Sequence, residues 1–128
     1  MAVDDLRANH MMAHLLDALE RGQDIGHYGR LVFAMIARHF LTREELSSWL
    51  CQDSTVSAEE VRALVTQVEE RGYSPPRREK ILEWQSQQEF PIIPNTDDPG
   101  EGNVYKDLEF PEDVYKHITE YYEHKGAA

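Results

Sequence analysis

The sequence predicts an all-α protein: a compact bundle of five to six helices with a long proline-rich acidic arm before the C-terminal helix. In several segments, apolar residues recur at the three- and four-residue spacing of a helix face, and capping residues precede those segments. The six prolines all lie between Pro75 and Pro111, so the first 74 residues can form helices without interruption. Together these observations set the fold class.

The chain of 128 residues is expected to form a single domain. We expect a helical body over about 4–88, an acidic arm over about 89–111 and a C-terminal helix over about 112–124. A chain of this length buries roughly two thirds of the surface that its unfolded form exposes, so its core needs neither a metal nor disulfides.

The first two helices follow from caps and apolar content. Asp4 or Asp5 can cap a helix that runs to about Arg21, where Gly22 provides a C-terminal stop. A second helix over about 28–41 is apolar around most of its circumference. We therefore place the second helix at the centre of the core.

Capping residues also mark the next two helices. Thr42 and Ser57 each stand three residues before a glutamate, which is the spacing of a capping box. They predict helices near 43–52 and 58–71, the second with a continuous apolar stripe on one face.

Prolines mark the two helices of the C-terminal half. Ser74 followed by Pro75 is typical of a cap and a first-turn proline, and it predicts a fifth helix ending near Gln88. Pro111 opens the C-terminal helix in the same way. Cys51, near the end of the third helix, is expected to be a small, partly buried hydrophobic residue.

The arm is the unusual part of the chain. Residues 90–110 show neither helical nor alternating periodicity, and irregular segments of this length are usually functional or disordered. Hydrophobic residues within them give the arm something to bury, so we expect it to lie across the body or a partner. The segment from Glu89 to Asp113 contains 8 acidic residues and one lysine, which is −7 of the net charge of −11.

The charge of the chain limits the classes of partner, and its cysteine content indicates the compartment. With 13 basic against 24 acidic residues, the protein repels nucleic-acid phosphates and anionic lipids, so neither nucleic acid nor membrane is expected as a partner. No apolar run is long enough for a bilayer span, and the acidic start is wrong for a leader peptide. A single cysteine suits a reducing compartment. These features predict a cytoplasmic protein.

One candidate site is a metal centre. His10, His14 and Asp17 project on one side of the first predicted helix, and two histidines at this spacing can share one divalent ion. His39, on the apolar face of the second helix, could join them if the two helices form a hairpin. The simpler interpretations are a solvated helix face and a hydrogen-bonded core histidine, and they are favoured. No other cofactor is predicted.

Two basic features have weaker signals. The glycine-rich turn over 22–30 could place a phosphate at a helix N-terminus, although a tight hairpin is the favoured explanation of its glycines. The cluster formed by Arg71, Arg77, Arg78 and Lys80 could contact phosphates or, as we prefer, the acidic arm of the same chain or a partner.

No motif specifies a reaction, and an enzyme is the less favoured class. The sequence predicts a protein-binding adaptor or assembly subunit, whose acidic arm and C-terminal helix engage another protein with a basic surface. The candidate partner-binding residues combine acidic and tyrosine side chains: Asp97, Asp98, Glu101, Tyr105, Tyr115, Tyr121 and Tyr122. The alternative is a metal-binding helical protein or metal-dependent enzyme that uses the histidines and Asp17.

Overall fold

The computed structural model describes residues 2–116. The regular secondary structure of these residues is helical, and they contain no strand. The helices are α1 (Ala2–Leu6), α2 (His10–Glu20), α3 (Gly26–Ala37), α4 (Arg43–Leu50), α5 (Ala58–Arg71), α6 (Arg78–Gln85), α7 (Val104–Asp107) and α8 (residues 112–116). The predicted all-α class is confirmed. The continuation of the C-terminal helix to about 124 lies outside the described residues.

The first predicted helix is divided into α1 and α2, so its prediction as one continuous helix was wrong. Asn9 lies between them with extended backbone, and its side chain accepts a hydrogen bond from the Met12 amide at 3.0 Å. This cap begins α2 anew. The Asn9 amide group also donates to Asp107 at 2.9 Å, so a contact 98 residues away holds the break in place.

Helix α3 lies at the centre of the core, as predicted. Seven of its twelve residues are buried, and it packs against α2, α4, α5 and α6. It begins two residues earlier than the sequence predicted and ends at Ala37, where tight turns replace the helix. The Phe40 and Leu41 amides both donate to the Ala37 carbonyl at 2.9 Å.

The caps of α4 and α5 are those predicted. The Glu45 amide donates to the Thr42 hydroxyl at 3.1 Å and the Thr42 amide donates back to the Glu45 carboxylate at 2.9 Å. Helix α5 has its predicted bounds. The Cys51 side chain is exposed, so its prediction as partly buried was wrong: its position at the C-cap of α4 turns it to solvent.

Helix α6 begins three residues later than Pro75. Pro75 cannot open a helix because it is itself followed by Pro76, and a residue before proline is disfavoured in the helical region. Both prolines are buried in an irregular segment, and α6 begins after Arg77. It ends at Gln85, which leaves Gln88 in the turn beyond it.

A buried carboxylate joins the loop after α4 to the start of α3. Asp53 is fully buried and accepts hydrogen bonds from the Ile25 amide at 3.2 Å, the Thr55 amide at 2.9 Å and the Arg30 guanidinium at 2.9 Å. Burial alone would raise the pKa of this carboxyl, but these donors and the Thr55 hydroxyl outweigh it and hold the pKa of Asp53 below its ordinary value.

None of the helices described is both long enough and apolar enough to cross a lipid bilayer.

Candidate functional site

The arm is folded onto the helical body by its apolar side chains. Six of them are buried, and so is Val114 of α8: the six are Phe90, Ile92, Ile93, Val104, Leu108 and Phe110. The acidic residues of the same stretch point outward, and of the eight between Glu89 and Asp113 only Glu101 is buried. The arm therefore separates its two kinds of side chain, with apolar groups inside and carboxylates in water.

Glutamines at the end of α6 bind the backbone of the arm. Gln85 accepts from the Ile93 amide at 2.7 Å and donates to the Ile93 carbonyl at 3.4 Å. Gln88 donates to the Phe90 carbonyl at 3.1 Å and to the Ile25 carbonyl at 2.9 Å. These amides replace the partners that the irregular backbone lacks within itself.

Arg78 has the intramolecular role that was preferred for the basic cluster. Its guanidinium donates to the Glu101 carbonyl and to the Thr96 carbonyl, both at 2.9 Å. The contact is to backbone oxygens rather than to carboxylates, so it fixes the path of the arm and leaves the exposed acidic side chains unneutralised.

The candidate partner-binding carboxylates divide between two environments. Asp97 and Asp98 are exposed on the arm. The side chain of Glu101 is only 4% exposed and lies 2.7 Å from His10 Nδ1. Glu101 thus holds the arm to α2 and cannot form part of an outer contact surface in this conformation.

The candidate tyrosines also differ in their surroundings. Tyr105 is half-buried and donates its hydroxyl proton to the Pro75 carbonyl. Burial raises the pKa of Tyr105 to about 12. The Tyr115 ring is 39% exposed, while its hydroxyl accepts from the Phe110 amide at 3.0 Å. Tyr121 and Tyr122 lie outside the described residues.

The two histidines of α2 contact the arm. His10 Nδ1 meets the Glu101 carboxylate, and His14 Nε2 lies 2.8 Å from the Pro91 carbonyl oxygen. The His14 ring also stacks on Phe90 with 5.1 Å between ring centroids. In both contacts a ring nitrogen faces an oxygen acceptor, so each histidine links α2 to the arm.

The other two candidate metal ligands point elsewhere. Asp17 accepts a hydrogen bond from Arg7 at 2.8 Å, and the Arg7 guanidinium lowers the pKa of Asp17 mainly through this bond. His39 lies against the arm residue Phe110, with 5.7 Å between the ring centroids. Across residues 2–116, no group of three or more histidine, cysteine or carboxylate side chains is placed to hold a metal ion.

His39 differs from the hydrogen-bonded core histidine that was expected. Its Nε2 atom is buried and has no hydrogen-bond partner among the described residues. Burial, together with the adjacent Arg38 charge, lowers the pKa of His39 to about 4. The ring is therefore neutral at physiological pH and packs as an aromatic group.

The glycine-rich turn has no open anion site. The Gly26 amide donates to Asp24 at 2.8 Å and the Tyr28 amide donates to Gln88 at 2.9 Å. The Arg30 guanidinium bonds Asp24 at 3.2 Å in addition to the buried carboxylate of Asp53. The Gly26 and Tyr28 amides and the Arg30 guanidinium, which could otherwise bind a phosphate, already have partners in the protein.

Sequence reasoning missed an apolar groove between α3 and α6. This α3–α6 groove has a volume of about 350 Å³ and is lined by Leu31, Met35, Tyr73, Pro76, Arg77, Lys80 and Trp84. The Trp84 ring stacks on Tyr28 with 5.7 Å between centroids, and the Lys80 ammonium lies 5.6 Å from the centre of the Trp84 ring. The sequence did contain one signal for this groove: Lys80 and Trp84 are four residues apart, so they lie on the same face of a helix.

The groove is apolar at its floor and basic at its rim. Among the described residues that line it none is acidic, whereas Arg77 and Lys80 are both exposed there. Arg38 lies close by, since its guanidinium donates to the Tyr73 carbonyl at 3.0 Å. A positive, apolar depression on a chain with a net charge of −11 contrasts with the acidic arm.

Comparison of the chain with models of protein families, with curated proteins and with solved structures gives no match.

Proposed function

We propose that the protein is a protein-binding adaptor or assembly subunit that uses its acidic arm to hold a partner with a basic surface. One observation supports this function above others: the arm buries six apolar side chains against the body while five of its six carboxylates face solvent. A surface of one charge attracts a complementary surface and repels unsuitable ones.

The anchoring of the arm supports the proposal. Gln85 binds the arm at Ile93, Arg78 binds it at Thr96 and Glu101, and His10 contacts the Glu101 side chain. The exposed carboxylates therefore lie on a backbone that is already ordered before a partner arrives. A surface that is already ordered loses less conformational entropy on binding.

The C-terminal helix belongs to the same proposal. Tyr115 presents an exposed ring beside the acidic residues Glu112 and Asp113 of α8. Tyrosine adds contact area at low entropic cost, which is why it is enriched in interfaces. Tyr121 and Tyr122 remain candidates by sequence alone. The proposed setting is cytoplasmic, where the exposed thiol of Cys51 stays reduced.

The test is a comparison of two charge-reversed variants. In the first, Asp97, Glu109 and Glu112 are changed to lysine on the arm and α8. In the second, Glu44, Glu59 and Glu70 are changed to lysine on the body. All six side chains are exposed, so the two variants have the same net charge and differ only in where the charge lies.

The measurement is carbodiimide cross-linking in cell extract, which joins a carboxylate to a contacting lysine, followed by quantitative mass spectrometry. The proposal predicts a partner that the wild-type chain and the body variant both capture, and whose recovery from the arm variant falls about tenfold. Equal recovery from both variants, or no captured partner at all, would contradict the function.

A further inference from the structure

We infer that the α3–α6 groove is a second binding site, which takes a short acidic segment of another protein through one or two bulky apolar side chains. The site is separate from the acidic surface of the arm and has the opposite charge preference.

The floor consists of residues that dominate interface energetics. Trp84, Tyr73 and Leu31 are each only partly buried although they are large and apolar. Met35 lies beneath them and is 6% exposed. Tryptophan, tyrosine and methionine are enriched where proteins bind each other, because they contribute contact area and adapt to the partner's shape.

The positive charge of the rim favours an occupant with negative charge. Arg77 and Lys80 stand at its edge, with the Arg38 charge nearby and no acidic lining residue in the described chain. Lys80 contacts Glu83 at 3.4 Å, but both side chains are more than half exposed, and an exposed pair of this kind contributes little. Lys80 can therefore turn to a carboxylate of a partner. Apolar side chains flanked by aspartate or glutamate match both floor and rim.

The shape favours a protein segment over a free small molecule. A volume of about 350 Å³ suits one or two large side chains, and the groove is partly open to solvent. Small-molecule sites usually enclose roughly 70–90% of their ligand, which an open groove does not do. A peptide gains the missing contacts from its own flanking residues at the basic rim.

The described part of the arm cannot be this occupant, although it is both acidic and partly apolar. Its residues Ile92, Ile93 and Val104 are fully buried elsewhere on the body. The occupant that we infer is a segment of a different protein. The remaining candidate within the chain is the segment 117–128, which contains Ile118 and Glu120, and the experiment distinguishes it.

The experiment selects short random peptides displayed on phage against the full chain. The selected pool is then depleted with a Leu31→Gln variant, whose polar floor removes the apolar contact while the half-exposed position tolerates glutamine. Peptides that survive depletion depend on the groove. The inference predicts that they combine aspartate or glutamate with leucine, phenylalanine or tryptophan.

A charge test then follows on the selected peptides. Lys80→Glu is expected to weaken their binding about tenfold in fluorescence anisotropy, whereas Arg62→Glu, the same change at an exposed residue of α5 outside the groove, leaves it unchanged. Basic peptides, an empty pool after depletion, or equal losses in the two variants overturn the inference. A chain ending at Lys116 that binds the peptides about tenfold tighter than the full chain identifies the segment 117–128 as the occupant and also overturns it.

Discussion

The helical body and the arm are held in place by different kinds of contact. In the body, continuous apolar faces of α2, α3, α4 and α5 meet one another, and local side-chain caps begin α2, α4 and α5. In the arm, single apolar side chains are buried one by one, and side chains of the body bind its backbone. The body is therefore stabilised by many redundant contacts and the arm by a few specific ones.

This difference bears on function. An arm with few anchors can open without unfolding the helices beneath it, because regions with few buried contacts open at lower free energy than the core. The exposed carboxylates of the arm and the basic α3–α6 groove of the body would then lie on units of different stability. If the two regions are separate units, a change in one of them leaves the stability of the other nearly unaffected.

The largest expected effect is in the body, at the buried carboxylate of Asp53. Replacement by alanine in Asp53→Ala leaves Arg30 without its buried partner and the Ile25 amide without an acceptor. Breaking a buried ion pair in this way costs about 3–5 kcal/mol. Urea unfolding followed by circular dichroism measures the loss in the free energy of unfolding.

The control for this prediction is Asp17→Ala, which removes an exposed carboxylate that also pairs with an arginine. Its loss of stability should be much smaller, because water replaces the partner at an exposed site. If the two variants lose the same stability, Asp53 does not tie the body together as the geometry indicates.

The second prediction concerns Gly102, where the backbone of the arm packs closely against the Ile93 side chain. Its φ of +91° is unfavourable for any residue with a side chain, and a Cβ atom there would lie 2.5 Å from the Ile93 side chain. The backbone strain and the clash together predict a loss of about 2–4 kcal/mol for Gly102→Ala. Hydrogen exchange read by mass spectrometry should show faster exchange over 89–111 and little change in α2 to α5.

Gly72→Ala is the matched control for Gly102→Ala. Gly72 also has a positive φ, of +60°, but a Cβ atom there meets nothing within 4 Å. This variant carries only the backbone cost of about 1 kcal/mol. Faster exchange spread evenly over arm and body in Gly102→Ala would mean that the two regions unfold together.

The body was largely predictable because its information is local. The bounds of α5 follow from a cap at Ser57, an apolar stripe and a glycine at its end, all of which lie within one segment of sequence. The burial of α3 follows from its composition in the same way. The start of α2 at Asn9 was missed even though asparagine is a good cap, since the apolar pattern continues across it.

The candidate sites were less predictable because they depend on contacts between distant segments. That the arm would bury its hydrophobic residues could be inferred, but nothing in the spacing of His10 and His14 shows that they meet Glu101 and Pro91. The groove was missed for a related reason. Leu31 resembles a core position on a helical wheel, and only the position of α6 decides that it lies at a surface depression.

The smallest expected effect lies where the two regions meet, at His39 of the body and Phe110 of the arm. In the folded protein the pKa of His39 is about 4, below its ordinary value of 6.5. Between these two pH values the unfolded chain binds a proton at His39 and the folded chain does not. The stability from the neutral ring is present above pH 6.5 and is lost as the pH falls towards 4. Between pH 7 and 5 this loss should be about 1 kcal/mol, allowing for the partial exposure of the ring.

In His39→Gln, which does not titrate, the free energy of unfolding from urea titrations should fall less over this range than in the wild type. His27→Gln, at an exposed histidine of α3, should keep the wild-type slope. Parallel slopes in the wild type and both variants would show that protonation of His39 does not act on the contact between body and arm.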